Sequence, residues 1–360
     1  MQNSEIVNLY KEILKDIKKN GEAIIFEKVF GGLSYYLKFN ELRSAFFKEE
    51  KIQIPPMDYV EGMPVDKSDL AGIMIYTVKY NNMTAEDIIY YTMDDFTYAV
   101  SYVINHARKL YFNGSLKNLE MEKSTTLELE IKEKFKLFQS CLKNVGFKAN
   151  CITRTWFYLN DIAENYKEFN ALRREFFNEL GIDYSDESNY LPASTCIEGK
   201  GAVSQYCSMN FYCTDTESEV EIRRIYNREQ NEANGSTYLF KPTFSRAVSL
   251  TYSNFIEMQI SGTASINEKG ESVFLNNPYE QIKKTLKNVN NLLRSEGMNF
   301  GDIVFSTCFF KDAAYFTFFQ SILEEMKLDQ FPFVCVVSNI CREDLLFEID
   351  AIAAKHKESV

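Results

Sequence analysis

The chain has 360 residues, 45% hydrophobic and 25% charged. That is too much for one small core and enough for a packed interior, which excludes a disulfide-stapled miniprotein and wholesale disorder. With 40 Lys and Arg against 51 Asp and Glu, the formal net charge is −11. This is the wrong sign for a nucleic-acid or anionic-membrane partner, so a bound anion would need a local concentration of positive charge.

The start, MQNSEIVNLYKEILKDIKKNG, reads as a charged amphipathic helix, not a leader. No stretch approaches the roughly 18 apolar residues of a membrane span, and the expectation is a soluble, cytoplasmic protein. Eight cysteines without a CxxC pair read as reduced thiols. Only His106 and His356 are present. A His-rich zinc site therefore lacks ligands and a Ser-His-Asp triad would hang on His106, so neither a metal site nor a triad is expected.

The next stretch, with Pro55-Pro56 and a strand-like run from Ile73 to Tyr80, matches nothing further along. From Phe96 the chain repeats itself. FTYAVSYVINHARKLYFNG (Phe96 to Gly114) lies over FSRAVSLTYSNFIEMQISG (Phe244 to Gly262) without a gap, and each copy reads as a β-hairpin closing on glycine. A helical stretch follows in each, ending at Gly146 and Gly297, where a C-cap belongs. Then come a strand ending at Asp161 or Asp312, a second helix, and a last β segment: Leu191 to Gly199 in one copy, Gln330 to Ala353 in the other. Each half is predicted as ββαβαβ, an α+β unit. The loop at 183–189 and the stretch 227–237 are the expected connections.

These elements, with P-A-S-T-C followed by I-E, resemble the RidA/YjgF family, whose subunits pack their sheets around a shared barrel with clefts between neighbours. The resemblance runs from about 96 to 353, in two copies. A narrower one is carried by NREQ (Asn227 to Gln230), Ala233, PTFSRAVSL (Pro242 to Leu250), ISGTASI (Ile260 to Ile266) and ICREDLLFEID (Ile340 to Asp350). These are similar to the chorismatases, tandem RidA-like enzymes that remove pyruvate from chorismate. The expected organisation is an accessory segment at 1–95, a first RidA-like domain at 96–226 and a second at 227–360 carrying the active site.

Two departures bear on the chemistry. RidA-type imine deaminases carry a carboxylate-binding Arg two residues after the Pro of P-A-R, where this chain has Ser194 in one copy and Phe333 or Val334 in the other. The loop after SGTASI reads NEKGESVFLNN, without the histidine usual in chorismatases.

Arg246 stands opposite Tyr98 in the repeat, and an Arg in one copy only suggests a task for that copy; the resemblance puts it beside a substrate carboxylate. Glu348 lies between apolar residues, where burial would raise its pKa into the range of a neutral-pH acid; the resemblance makes it the proton donor. Asp350, two residues on, would share its face as a second carboxylate or be solvated. For Cys341 the residue pattern alone favours packing over nucleophilic chemistry. The resemblance links Cys341 to the branch yielding 3-hydroxybenzoate and Ala247 to the branch yielding a dihydrodiol acid. Lys311 and Arg342 would add positive charge, Gln230 would bond a substrate hydroxyl or sit in a loop, and Gly262 and Thr263 offer N–H and hydroxyl donors to an anion. The resemblance thus implies a cofactor-free enzyme for a small, chorismate-like anion. A non-catalytic RidA-like binding module and an imine or enamine deaminase are the alternatives, and the oligomeric state is open.

Overall fold

The computed structural model describes residues 3–66, 68–79, 87–93, 96–115, 126–182, 191–215, 217, 219–225, 227–230 and 243–357. The expected connection at 183–189 and the part of that at 227–237 beyond residue 230, with Ala233 and Pro242, lie outside the described residues. Among the described residues no helix is long and apolar enough to cross a membrane.

The N-terminal segment is α1 (Asn3–Asn20), β1 (Glu22–Gly31), α2 (Tyr36–Glu49), β2 (Met57–Glu61) and β3 (Leu70–Lys79). The first unit is β4 (Ile88–Met93), β5 (Phe96–Ile104), β6 (Ala107–Asn113), α3 (Leu127–Val145), β7 (Ile152–Leu159), α4 (Ile162–Glu179), β8 (Ala193–Glu198) and β9 (Cys207–Thr214). The second is β10 (Glu221–Ile225), β11 (Ala247–Thr251), β12 (Phe255–Ala264), α5 (Pro278–Ser295), β13 (Ile303–Phe310), α6 (Tyr315–Met326), β14 (Val334–Val337) and β15 (Phe347–His356).

The repeat therefore stands as two α+β units with one topology, β4-β5-β6-β9-β7-β8 and β10-β11-β12-β15-β13-β14. The ββαβαβ order is present in each, with an edge strand ahead of it and a strand after it that inserts at the centre of the sheet. Local chemistry explains the joints. Asn105 and His106 both take positive φ, 46° and 64°, the twist of a two-residue hairpin turn. The Thr126 side chain caps α3 and Asn277 caps α5, with Pro278 in the first turn of α5. Gly146 and Gly297 end these helices at φ 74° and 68°, a left-handed conformation that glycine adopts without a Cβ penalty.

The stretch before Phe96 corrects the expectation that it matches neither copy. Its sheet, β2-β1-β3, pairs β1 parallel to β2 and antiparallel to β3, as β7 pairs with β8 and β9 and β13 with β14 and β15. It is a third copy lacking the opening hairpin. The signal was in the sequence: FNELRSAFFKE at 39–49 lies over FNALRREFFNE at 169–179, and PPMDYVEG at 55–62 over PASTCIEG at 192–199. A search anchored on the hairpin misses both, because this copy has none.

Apolar faces then dictate the assembly. Separate cores fill the space between the sheets and α3–α4, α5–α6 and α1–α2. The opposite sheet faces share one interior, in which Phe26, Val60, Tyr111, Trp156, Phe305 and Ile352 come from all three copies. Equivalent bonds close equivalent seams. The Thr97 hydroxyl donates to the Ile54 carbonyl and the Ser245 hydroxyl to the Leu191 carbonyl. Glu61 N–H meets the Lys200 carbonyl as Glu198 N–H meets that of Asn339.

Candidate functional site

The candidate acid lies at the seam where β8 of the first unit meets β12 of the second, joined by the Ala193–Ser245 bridge. Glu348, the second residue of β15, is 5% exposed. The β12–β15 register shifts between Ile260 and Thr263, and at that irregularity the carboxyl lies over Gly262. A Cβ on Gly262 would stand 2.0 Å from Glu348 Oε1, so only glycine leaves the carboxyl where it lies against the backbone.

Burial pushes Glu348 up to about 8, and the neighbouring Asp350 charge adds to this against the opposing pull of Arg154, Arg246 and Arg342. Asp350, the smaller of the two upward influences, is itself fixed in the fold. Its Oδ2 accepts from Arg154 Nη2 at 2.8 Å, Trp156 Nε1 at 2.9 Å and Thr195 Oγ1 at 2.8 Å, and its Oδ1 from Thr307 N at 3.2 Å. Four donors hold a carboxylate in place, and that fixed charge disfavours a second one two residues away.

Around this acid the structure gathers several of the expected residues. Arg246 is 9% exposed; its Nε donates to the Gln230 carbonyl at 3.2 Å and its guanidinium sits 5.3 Å from the Phe244 ring. Gln230 is wholly buried and accepts from Asn227 Nδ2 at 2.5 Å. Arg342 is exposed and donates to the Gly270 carbonyl at 2.8 Å, tying the loop before β15 to the turn after β12. Cys341 is half-buried between the Glu348 carboxyl and Tyr166; burial pushes its thiol up to about 12. A thiol held that high keeps its proton at neutral pH.

Three expected residues are placed elsewhere or occupied. Lys311 donates to the Glu343 carbonyl at 2.6 Å, so its ammonium holds a loop. Ala247 is wholly buried in the core beneath α5 and α6, the face of β11 opposite to its neighbour Arg246. The Thr263 hydroxyl is turned onto the Ser261 carbonyl at 2.9 Å. Tyr98, in the repeat position of Arg246, packs on Phe112 in the first unit's core.

Residue-level reading missed the contribution of the first unit. Thr195 approaches Gly262, Ser194 N–H donates to Ser261 Oγ at 2.8 Å, and Arg154 pairs with Asp350 across the seam. Buried Arg and Thr in strands otherwise read as core, Arg154 and Thr195 among them, are a signal of such a seam.

Comparison with known proteins agrees with this architecture. The family described as Endoribonuclease L-PSP matches residues 242–355. A crystal structure of chorismatase superposes with a TM-score of 0.62 at 15% identity, covering 92% of each chain. Yeast Mmf1 (TM-score 0.31, 19% identity) covers 38% of this chain and 99% of its own. The YjgF gene product of E. coli (TM-score 0.28, 24% identity) covers 37% and 98%. A search of curated protein sequences finds no match. The chain thus has the RidA-type fold in tandem, with an N-terminal extension. Its whole-length arrangement is that of a chorismatase-like protein.

Proposed function

We propose that the protein cleaves the enolpyruvyl ether of chorismate, releasing pyruvate and a cyclohexadiene or hydroxybenzoate acid. The observation that carries this reading is an enclosed carboxyl held near 8 over Gly262, with Arg246 and Arg342 in electrostatic reach. The chorismatase-like fold supports it.

In this reading the Glu348 carboxyl gives its proton to the enol ether methylene, making a methyl group and an oxocarbenium centre. Water adds to that centre and its spare proton returns to the carboxylate. The hemiketal then collapses: its hydroxyl proton passes to the ether oxygen, the carbon–oxygen bond to that oxygen breaks, and pyruvate leaves with the cyclohexadiene diol acid, which gives a hydroxybenzoate only by losing water in a further step. Protonation at carbon demands an acid un-ionised at working pH, and a cation beside the substrate carboxylate limits repulsion from the protein's net negative charge. Arg246 is the assigned carboxylate partner, Gln230 holds it through its carbonyl, and Cys341 lines the site as a neutral thiol.

Incubation with chorismate in ¹⁸O-water tests the reading. Pyruvate should be released while the ring product keeps its unlabelled oxygen. Label on the ring would mean attack at the ring carbon, and absence of pyruvate would favour a RidA-like binding module.

A further inference from the structure

Helices α2 and α4 carry the same F-N-x-L-R-x-x-F-F-x-E string, and both turn its arginine inward: Arg43 is 3% and Arg173 1% exposed. In the N-terminal copy Arg43 grips the buried Glu27 carboxylate and donates to the Pro55 carbonyl at 2.8 Å. With PPMDYVEG laid over PASTCIEG, the β1–β2 and β7–β8 registers put Thr155 where Glu27 stands and Ser194 where Met57 stands. Arg173 therefore meets the Ser194 hydroxyl, itself bonded by Thr155, where Arg43 meets a carboxylate. It donates to Ser194 Oγ at 3.2 Å and Asn170 Oδ1 at 2.5 Å, its Nε has no partner, and among the described residues no carboxylate pairs with it. Enclosing a guanidinium that no described carboxylate pairs with carries a desolvation cost.

The place of Arg173 gives that cost a use. The Phe244 ring lies 6.0 Å from its guanidinium and 5.3 Å from that of Arg246. The Cys196 thiol feels both Arg173 and Glu348, and Ser194, which Arg173 holds, is bonded to Ser261 beside Gly262. We infer that Arg173 receives a second carboxylate of the ligand, so that the seam takes a small dicarboxylate with one anionic group on Arg246 and the other on Arg173. Two guanidinium groups on different units then suit two carboxylates on one molecule. The inference rests on the proposed function only for the identity of that molecule.

Titration calorimetry with isophthalate and benzoate, on wild type, Arg173→Gln and Arg173→Lys of verified fold, tests it. Wild type should bind isophthalate about 30-fold or more tighter than benzoate, since one charge-assisted fork is lost with the second carboxylate. Arg173→Gln should bind the two alike with benzoate affinity unchanged, and Arg173→Lys should lose about tenfold for isophthalate alone, because an ammonium lacks the fork. Wild type without a dicarboxylate preference, an Arg173→Gln that keeps the preference, or equal loss of both ligands would overturn the inference; if Arg173→Gln does not fold, the Arg173→Lys comparison decides. Chorismate separates the two readings. Pyruvate release with an unchanged KM in Arg173→Gln contradicts Arg173 alone, whereas no pyruvate with Arg173-dependent isophthalate binding contradicts the reaction alone.

Discussion

Glu348, Asp350 and Gly262 act as one device, and each can be removed separately. Gly262→Ala sets a Cβ against Glu348 Oε1, the far end of a flexible side chain. The fold should survive and turnover should fall on the order of 10²-fold, because the acid is displaced by about an ångström; unchanged turnover would show that its position does not matter. Asp350→Asn leaves Arg154 buried without its anion and should cost about 3–5 kcal/mol in denaturant unfolding, while lowering the pKa of Glu348 by removing a neighbouring charge. The sign of the pH effect follows. The folded carboxyl at about 8 holds its proton where an unfolded one, at 4.5, has lost it. That contribution is intact below 4.5 and is lost as pH rises through 8. Of these residues, Glu348 and Arg246 were legible from the sequence, since one is charged amid apolar neighbours and the other breaks the repeat. Asp350 left open two readings, shared-face carboxylate or solvated group, that only its donors from another unit could decide. The burial of Ala247 in the core was not legible, because the resemblance that singled it out carries no information about which face of the sheet its side chain takes.

Hairpins and capped helices were legible because their signals are local: paired turn residues, Gly146 and Gly297. The strands that escaped show the limit of periodicity. CSMNFYCT in β9 is buried at every position, so it shows no alternation, and the polar EIRRI of β10 is an edge strand at the sheet margin. Between elements, the buried Lys109–Glu257 pair at 3.1 Å joins β6 to β12 across units. Lys109→Met alone should destabilise by about 3–5 kcal/mol, and adding Glu257→Leu should recover most of that loss, since the cost lies in the buried charge left without its partner. A double variant as unstable as the single would show that the pair's geometry, not its charge balance, holds the seam.

At the scale of the molecule, three copies of one αβαββ plan surround a common interior, and two seams closed by matching backbone bonds differ at one side chain. The registers Tyr158↔Ser208 and Phe309↔Glu348 put Ser208 where the second unit has Glu348. Ser208 donates to Asp58 of the N-terminal copy at 2.7 Å, so that seam is closed by its own hydrogen bonds. Calorimetry should accordingly find one ligand per chain, and two would give the first seam a site as well. The account turns on Glu348 as an acid that is protonated at neutral pH. Pyruvate release from chorismate, followed from pH 5 to 10 in wild type and Glu348→Gln, tests it most directly. Wild type should hold its rate at low pH and lose it with a midpoint near 8. Glu348→Gln should be slower on the order of 10²-fold or more, without that limb. Release at the wild-type rate by Glu348→Gln would contradict the account.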